Sequence, residues 1–444
     1  TVTARDFGFI DTPGMIERLE RTIGTVERME KWNGHLYNWY NTETLRPLPP
    51  QYVSTVDSGN LIGCLIAAKE GLAEWLRRDY PDGEAEEGAG KRMASTTGER
   101  EPSAPRGPER LQPVTADLEA SAEPVGAYGL SRPQAETGDW AARGRRLIER
   151  MEALIAGTDF RPLFDPATRL FSLGCHTATG EKETILYDLL ASEARQASFI
   201  AIALGQVPVS HWFKLGRAMT RTGGGKALVS WSGTMFEYLM PPLLMRTYAG
   251  TVWDATYRAV IRKQAEYARL RGVPMGISES GYYAFDFQMN YQYRAFGVPG
   301  LGFKRGLETD LVVAPYATVM VLPYEPRLAM DELRKMEALG ARGEYGYYEA
   351  IDCTRERLPE GKTNVVIRSF MAHHQGMMLL TLGNLLLDSS MVDRFHADKR
   401  VRSAELLLQE RVPERPALVL HAAAAPLRMQ DPDQRLKAPQ RTFR

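Results

Sequence analysis

Residues 183–204 read ETILYDLLASEARQASFIAIAL. Leu186, Leu190, Ala197, Ile200 and Leu204 recur at helical spacing, which predicts one amphipathic helix across the stretch. Glu193 falls on the same face as these apolar residues. A carboxylate inside an apolar stripe is costly unless it is paired, hydrogen-bonded or protonated. Burial raises its pKa, which is what a general acid needs near neutral pH. The competing reading is a structural ion pair, to Arg195 or to an arginine elsewhere.

Helical periodicity extends to both sides of this segment. Thr12-Pro13 reads as an N-cap followed by the first helical residue. Met15, Leu19, Ile23, Val26 and Met29 then form a stripe that should fade near Asn33-Gly34. A helix is expected from Asp57 or Ser58, and others at about 140–156, 232–249, 252–271, 310–321, 326–339, 369–388 and 401–411. Residues 161–174 read as a hairpin. Many medium helices joined by long loops, with few convincing strands, argue an all-α architecture, best drawn as a closed ring of helical hairpins. Residues 82–137 are rich in Glu, Gly, Ser, Pro and Arg and hold too little apolar surface to offset ordering entropy, so they read as a mobile insertion, with a long linker between two domains as the alternative. Residues 413–444 read as a linker toward a further module. The main domain is therefore expected over 1–412.

The chain has 444 residues, with 55 basic and 55 acidic side chains. This balance argues against nucleic acid or another polyanion as partner and is compatible with a neutral polymer. Cys64, Cys175 and Cys353 lie far apart and form no CxxC pair, so neither a disulfide framework nor a zinc site is expected. No apolar run reaches the length of a membrane-spanning helix. The start at Thr1 rather than Met suggests a piece of a longer protein.

The loops carry the remaining chemistry. In MGISESGYYAFDFQMNYQYRAFGVPGLG (275–302), Glu279 stands among Tyr282, Tyr283, Asn290, Tyr291, Gln292 and Tyr293. Aromatic faces stack on sugar rings and amides bond their hydroxyls, so Glu279 is a candidate nucleophile. The alternative is a solvated loop glutamate. Glu349 in GEYGYYEAID, Glu237 beside Tyr238 in SWSGTMFEYLMPP, and Asp57 in STVDSGNL are further candidates, each more readily read alone as a cap or ion pair. In MAHHQGM (371–377), His373 and His374 lack metal-ligand spacing, and neighbouring helical residues point apart. Sugar contacts by His374 and Gln375 fit better, with a satisfied core histidine as the alternative.

Several motifs in order resemble one family: HLYNWYNTETLRPLPPQYVSTVDSGNL, LYDLLASEARQASFIAIALGQVP, SWSGTMFEYLMP, GISES, NYQYRAFGVPGLG, DLVVAPYAT, MAHHQGM and AELLLQERVP. They resemble the middle, glycoamylase-like domain of cyclic β-1,2-glucan synthases, over residues 1–413 apart from 82–137. The resemblance implies an (α/α)6 toroid, one that could lack its first helix. It implies an anomer-retaining transglycosylase that cyclises linear β-1,2-glucan without a cofactor or metal. An endo-β-1,2-glucanase and an inactive glucan-binding domain are the alternatives. Glu193 would be the general acid/base and Glu279 the nucleophile. Trp39, Tyr40, Asp57, Asn60, Glu237, Tyr238, Tyr282, Asn290, Tyr291, Gln292, Tyr293, Glu349, His373, His374 and Gln375 would bind substrate. The parent would be a bacterial inner-membrane protein with glycosyltransferase and phosphorylase-like modules, and this domain would lie in the cytoplasm.

Overall fold

Apolar periodicity builds the frame. The computed structural model describes residues 1–81, 139–223 and 225–419; the expected insertion at 82–137 and most of the expected linker lie outside the described residues. The longest helices are Thr12–Arg28, Thr55–Asp79, Trp140–Gly157, Val252–Arg271, Pro326–Ala338 and Ala372–Leu386. The Thr55–Asp79 helix is central: it packs on Trp140–Gly157, on Arg195–Ala203 and on Ser390–Ala397. Gly59 permits one of these approaches, because a Cβ there would lie 2.4 Å from Ala197 Cβ. Met15, Ile62, Ile66, Leu147, Phe199 and Phe395 are buried in one continuous apolar cluster. Each such side chain contributes roughly 1.5–3 kcal/mol on leaving water.

The loops between helices are more ordered than an all-α reading allows. Among the described residues they form seven antiparallel sheets of two or three short strands. The expected hairpin appears as Phe164–Asp165 paired with Leu170–Ser172. Asn33 and Gly34, both at positive φ, turn a second hairpin between Lys31–Trp32 and His35–Leu36.

Several expected elements are corrected. The helix over 183–204 is split. Leu186–Tyr187 pairs with Phe171 and Ser172 as a third strand, and the helix spans only Arg195–Ala203. Asp188 O and Leu190 N–H bond to the backbone of Gly216, which takes the groups a longer helix would have used. Over 232–249 the helix is Met235–Leu239, followed by a 3-10 turn at Pro241–Leu243, where two prolines in succession end the ladder. Residues 310–321 divide into the strand Val312–Val313 and the helix Pro315–Val319. The segment 401–411 continues a helix at Lys399–Ala404 into a 3-10 turn at Glu405–Gln409. Asp11, not Thr12, caps the second helix, accepting from Gly14 N–H at 2.7 Å. Ser54 caps the helix expected from Asp57 or Ser58, which begins at Thr55.

Candidate active site

Glu193 sits in the turn between the Leu186–Tyr187 strand and the Arg195–Ala203 helix, not on a helix face. Its neighbours Ser192, Ala194 and Arg195 are buried while Glu193 itself is half-buried, so the carboxylate lies at a floor that solvent still reaches. Among the described residues Arg195 does not form the structural ion pair of the competing reading. Its guanidinium donates to the carbonyls of Ser192, Glu237 and Tyr238 and to Tyr257 Oη, all within 2.8–3.0 Å, and lies 3.9 Å over the Trp253 ring. The nearest side-chain donor to Glu193 is the Ser192 hydroxyl at 3.4 Å. Burial raises the Glu193 pKa, Asp57's charge adds to the rise, and Arg195 opposes it.

Glu279 is fixed from both sides of its loop. Gln264 bonds both backbone groups of Ile277, at 3.2 and 2.9 Å. Gly276, at φ 132°, lies so close to the Pro315–Val319 helix that a Cβ would meet Thr318 Oγ1 at 2.6 Å. Tyr316 Oη donates to the Glu279 carbonyl and receives Ser278 Oγ, each at 2.8 Å. After Glu279 the chain enters the hairpin Ser280–Phe285 with Tyr291–Arg294, in which Gly281 faces Tyr293. Tyr293 Oη donates to Glu279 Oε1 at 2.9 Å and lies 3.3 Å from Nε2 of both His373 and His374. Burial and then Glu193's charge push the Glu279 pKa up to about 8 against the opposing Tyr293 bond. Glu193 and Glu279 therefore stand within range of each other's field, though they come from separate segments.

The other predicted residues divide by burial. Glu237 is buried and completes a capping box on the Met235–Leu239 helix, taking bonds from Ser230 Oγ, Ser232 N–H and Thr234 N–H. It is a structural carboxylate, yet burial and then Glu193's charge push its pKa to about 7. Tyr238 is fully buried with its hydroxyl on the carbonyls of Leu228 and Leu301, so it faces no sugar. Glu349 and His374 are buried as well. His374 Nδ1 lies 3.0 Å from both Glu349 oxygens, and Glu349 also takes Gly281 N–H at 3.1 Å. Both hold the Glu279 surroundings rather than reach a substrate. His373 is pushed down to about 4 by burial, then by His374's charge.

Tyr40 ties its loop together, donating to Glu30 O and receiving Tyr37 N–H. Tyr282 packs on Phe296 under the guanidinium groups of Arg294 and Arg357, and Tyr291 packs on Phe285. Asn290 bonds Asp286 in the hairpin turn, opposite-strand Gln292 pairs with Tyr282, and Gln375 donates to Tyr347 O. Asp57, exposed, receives Asn38 Nδ2 at 3.3 Å, and Asn60 receives Gln196 Nε2 at 3.1 Å. Trp39 is 49% exposed. Sequence reasoning passed over two features. Tyr316, in the DLVVAPYAT stretch, carries no signal in sequence that it would reach the Glu279 loop. Trp231, 44% exposed, is oriented by an Nε1–H bond to Asp188 at 3.0 Å and lies 5.7 Å from the Phe303 ring.

Residues 186–399 match the Glycoamylase family model. The chain is 37% identical, over 93% of its own length, to the cyclic β-(1,2)-glucan synthase NdvB of Rhizobium meliloti (strain 1021), and spans 17% of that protein. Among solved structures, the endo-β-1,2-glucanase of Chitinophaga pinensis, determined with sophorotriose and glucose, superposes with a TM-score of 0.59 at 13% identity, covering 91% of this chain and 84% of that one. A Bacteroides fragilis protein bearing the glucoamylase label gives 0.61 at 14%, covering 92% and 83%. At these identities the structural likeness is one of fold, and both folds are helical. No helix among the described residues is long and apolar enough to cross a membrane.

Proposed function

We propose that this domain cuts a β-1,2-glucan chain and rejoins it to its own far end, with retention of anomeric configuration, on an (α/α)6 toroid. The observation that supports this most is that Glu193 and Glu279, remote in sequence and both half-buried, lie near enough for Glu193's charge to act on Glu279. Retaining glycosidases need such a pair. Glu279 attacks the anomeric carbon, and Glu193 gives its proton to the leaving oxygen. A hydroxyl at the chain's other end then attacks the glucosyl ester, returns its proton to Glu193 and frees Glu279 as carboxylate. The exposed rings of Trp39 and Trp231 offer faces on which glucosyl units stack. Within the same reading the domain runs over 1–412 of a larger inner-membrane polypeptide, on its cytoplasmic side, beside glycosyltransferase and phosphorylase-like modules.

One observation favours hydrolysis instead. A carboxyl held near 8 is well suited to donate a proton while water attacks. Incubation with linear β-1,2-glucan separates the readings: the cyclase yields rings and the hydrolase yields linear oligosaccharides. Glu193→Gln and Glu279→Gln should each lower kcat at least about 100-fold. Wild-type product formation by both variants overturns the site.

A further inference from the structure

Tyr293 offers one proton to more than one acceptor. Its hydroxyl lies 2.9 Å from Glu279 Oε1 and 3.3 Å from His374 Nε2, with His373 Nε2 also at 3.3 Å. His374 is locked from behind. Its Nδ1 faces both oxygens of Glu349, and Tyr316 stacks flat on its ring at 3.6 Å and 9°. Glu349 is held in turn by Gly281 N–H. A ring that donates through Nδ1 presents Nε2 as an acceptor in its neutral tautomer.

We propose that Tyr293 is a positioning residue whose hydroxyl moves between Glu279 and His374 according to the charge on Glu279. The proposal rests on Glu279 being the nucleophile. In the free enzyme at pH above the Glu279 pKa of about 8, the ionised carboxylate is the stronger acceptor, since a bond to a charged group is roughly twice as strong as a neutral one. Tyr293 then favours the charged, attacking form. Once Glu279 has bonded to the anomeric carbon and the glycosidic C–O bond has broken, Oε1 is the carbonyl of a neutral ester and a weaker acceptor. The hydroxyl proton then turns to His374 Nε2. Attack by the acceptor hydroxyl restores the carboxylate and draws the phenolic proton back to it. Glu349 keeps Nε2 free to accept that hydrogen bond in each cycle. Burial, then Glu279's charge, raises the Tyr293 pKa, so the phenol keeps its proton throughout.

The groups facing Glu279 are Glu193, Glu237, Asp57, Tyr187, Tyr293 and Tyr316, with His373, His374 and Glu349 behind Tyr293. Tyr293→Phe removes one donor and no charge. The acid limb of the kcat/KM profile should therefore move to higher pH by about one unit, while kcat on the plateau falls. A merely structural role would lower the plateau and leave the limb in place, which overturns the proposal. A second measurement uses the wild-type chain: the His374 Nε2 nitrogen-15 resonance should move upfield when Glu279 is trapped by a 5-fluoro-glucosyl fluoride that carries β-1,2-linked glucose on its O2. An unmoved resonance also overturns it. If Glu279→Gln remains active, the nucleophile reading fails. If Glu279→Gln is dead and the Tyr293→Phe limb is unmoved, only the proton switch fails.

Discussion

Glu237 touches no substrate in the proposed chemistry, yet its charge adds to the rise at Glu279. Replacing it with glutamine removes that repulsion while keeping an acceptor for Ser230. The Glu279 pKa should fall, and the acid limb of kcat/KM should move to lower pH by up to about one unit. The sign is opposite to that expected for Tyr293→Phe, so the two pH–rate profiles check each other. The glutamine amide also meets the N–H groups of Ser232 and Thr234, which costs about 1–3 kcal/mol. The variant should therefore unfold at lower urea than wild type.

At the scale of elements, Gly59 governs how closely the Thr55–Asp79 helix approaches the Arg195–Ala203 helix. An alanine there would set its Cβ against Ala197 Cα at 2.5 Å, backbone that cannot rotate away. Gly59→Ala should cost about 1–3 kcal/mol by urea unfolding and lower kcat, because the displaced helix carries the Glu193 turn at its start. The long helices at 140–157, 252–271 and 326–338 were legible from their apolar period. The short strands were not, since two or three residues hold no period and are fixed by partners remote in sequence. Glu193 is the instructive case. The sequence pattern pointed to a shielded carboxylate but placed it on a helix, because the pairing of Leu186–Tyr187 with 170–172 cannot be read locally. His374 and Glu349 stood out as polar residues in aromatic surroundings, yet nothing in their spacing says that they bind each other in the interior rather than a sugar.

Across the whole molecule, ion pairs tie distant segments. Arg394 clasps Asp6 at 2.6 Å and Glu74 at 2.8 Å. Lys69, Glu152, Asp398 and Arg400 join the Thr55–Asp79, Trp140–Gly157 and Lys399–Ala404 helices. Burial disfavours the charged form of Asp398, but Arg400 and Lys69 outweigh it and hold its pKa below the usual carboxylate range. A depressed folded-state pKa stabilises fully above the unfolded value, about 3.9, and the contribution is lost as pH falls below it. Asp398→Asn should cost on the order of 2–3 kcal/mol at pH 7, less than a fully severed buried pair because Glu152 and Glu70 remain on Lys69. In urea melts the gap between variant and wild type should narrow below about pH 4. The pinned guanidinium of Arg195 has a consequence for which polymers are admitted. With its donors spent on three carbonyls and a phenol, it cannot swing round to neutralise the acids beside it. A uronate or a phosphate-bearing saccharide entering there would find that cation already engaged, so the site offers an anionic polymer no free countercharge from Arg195.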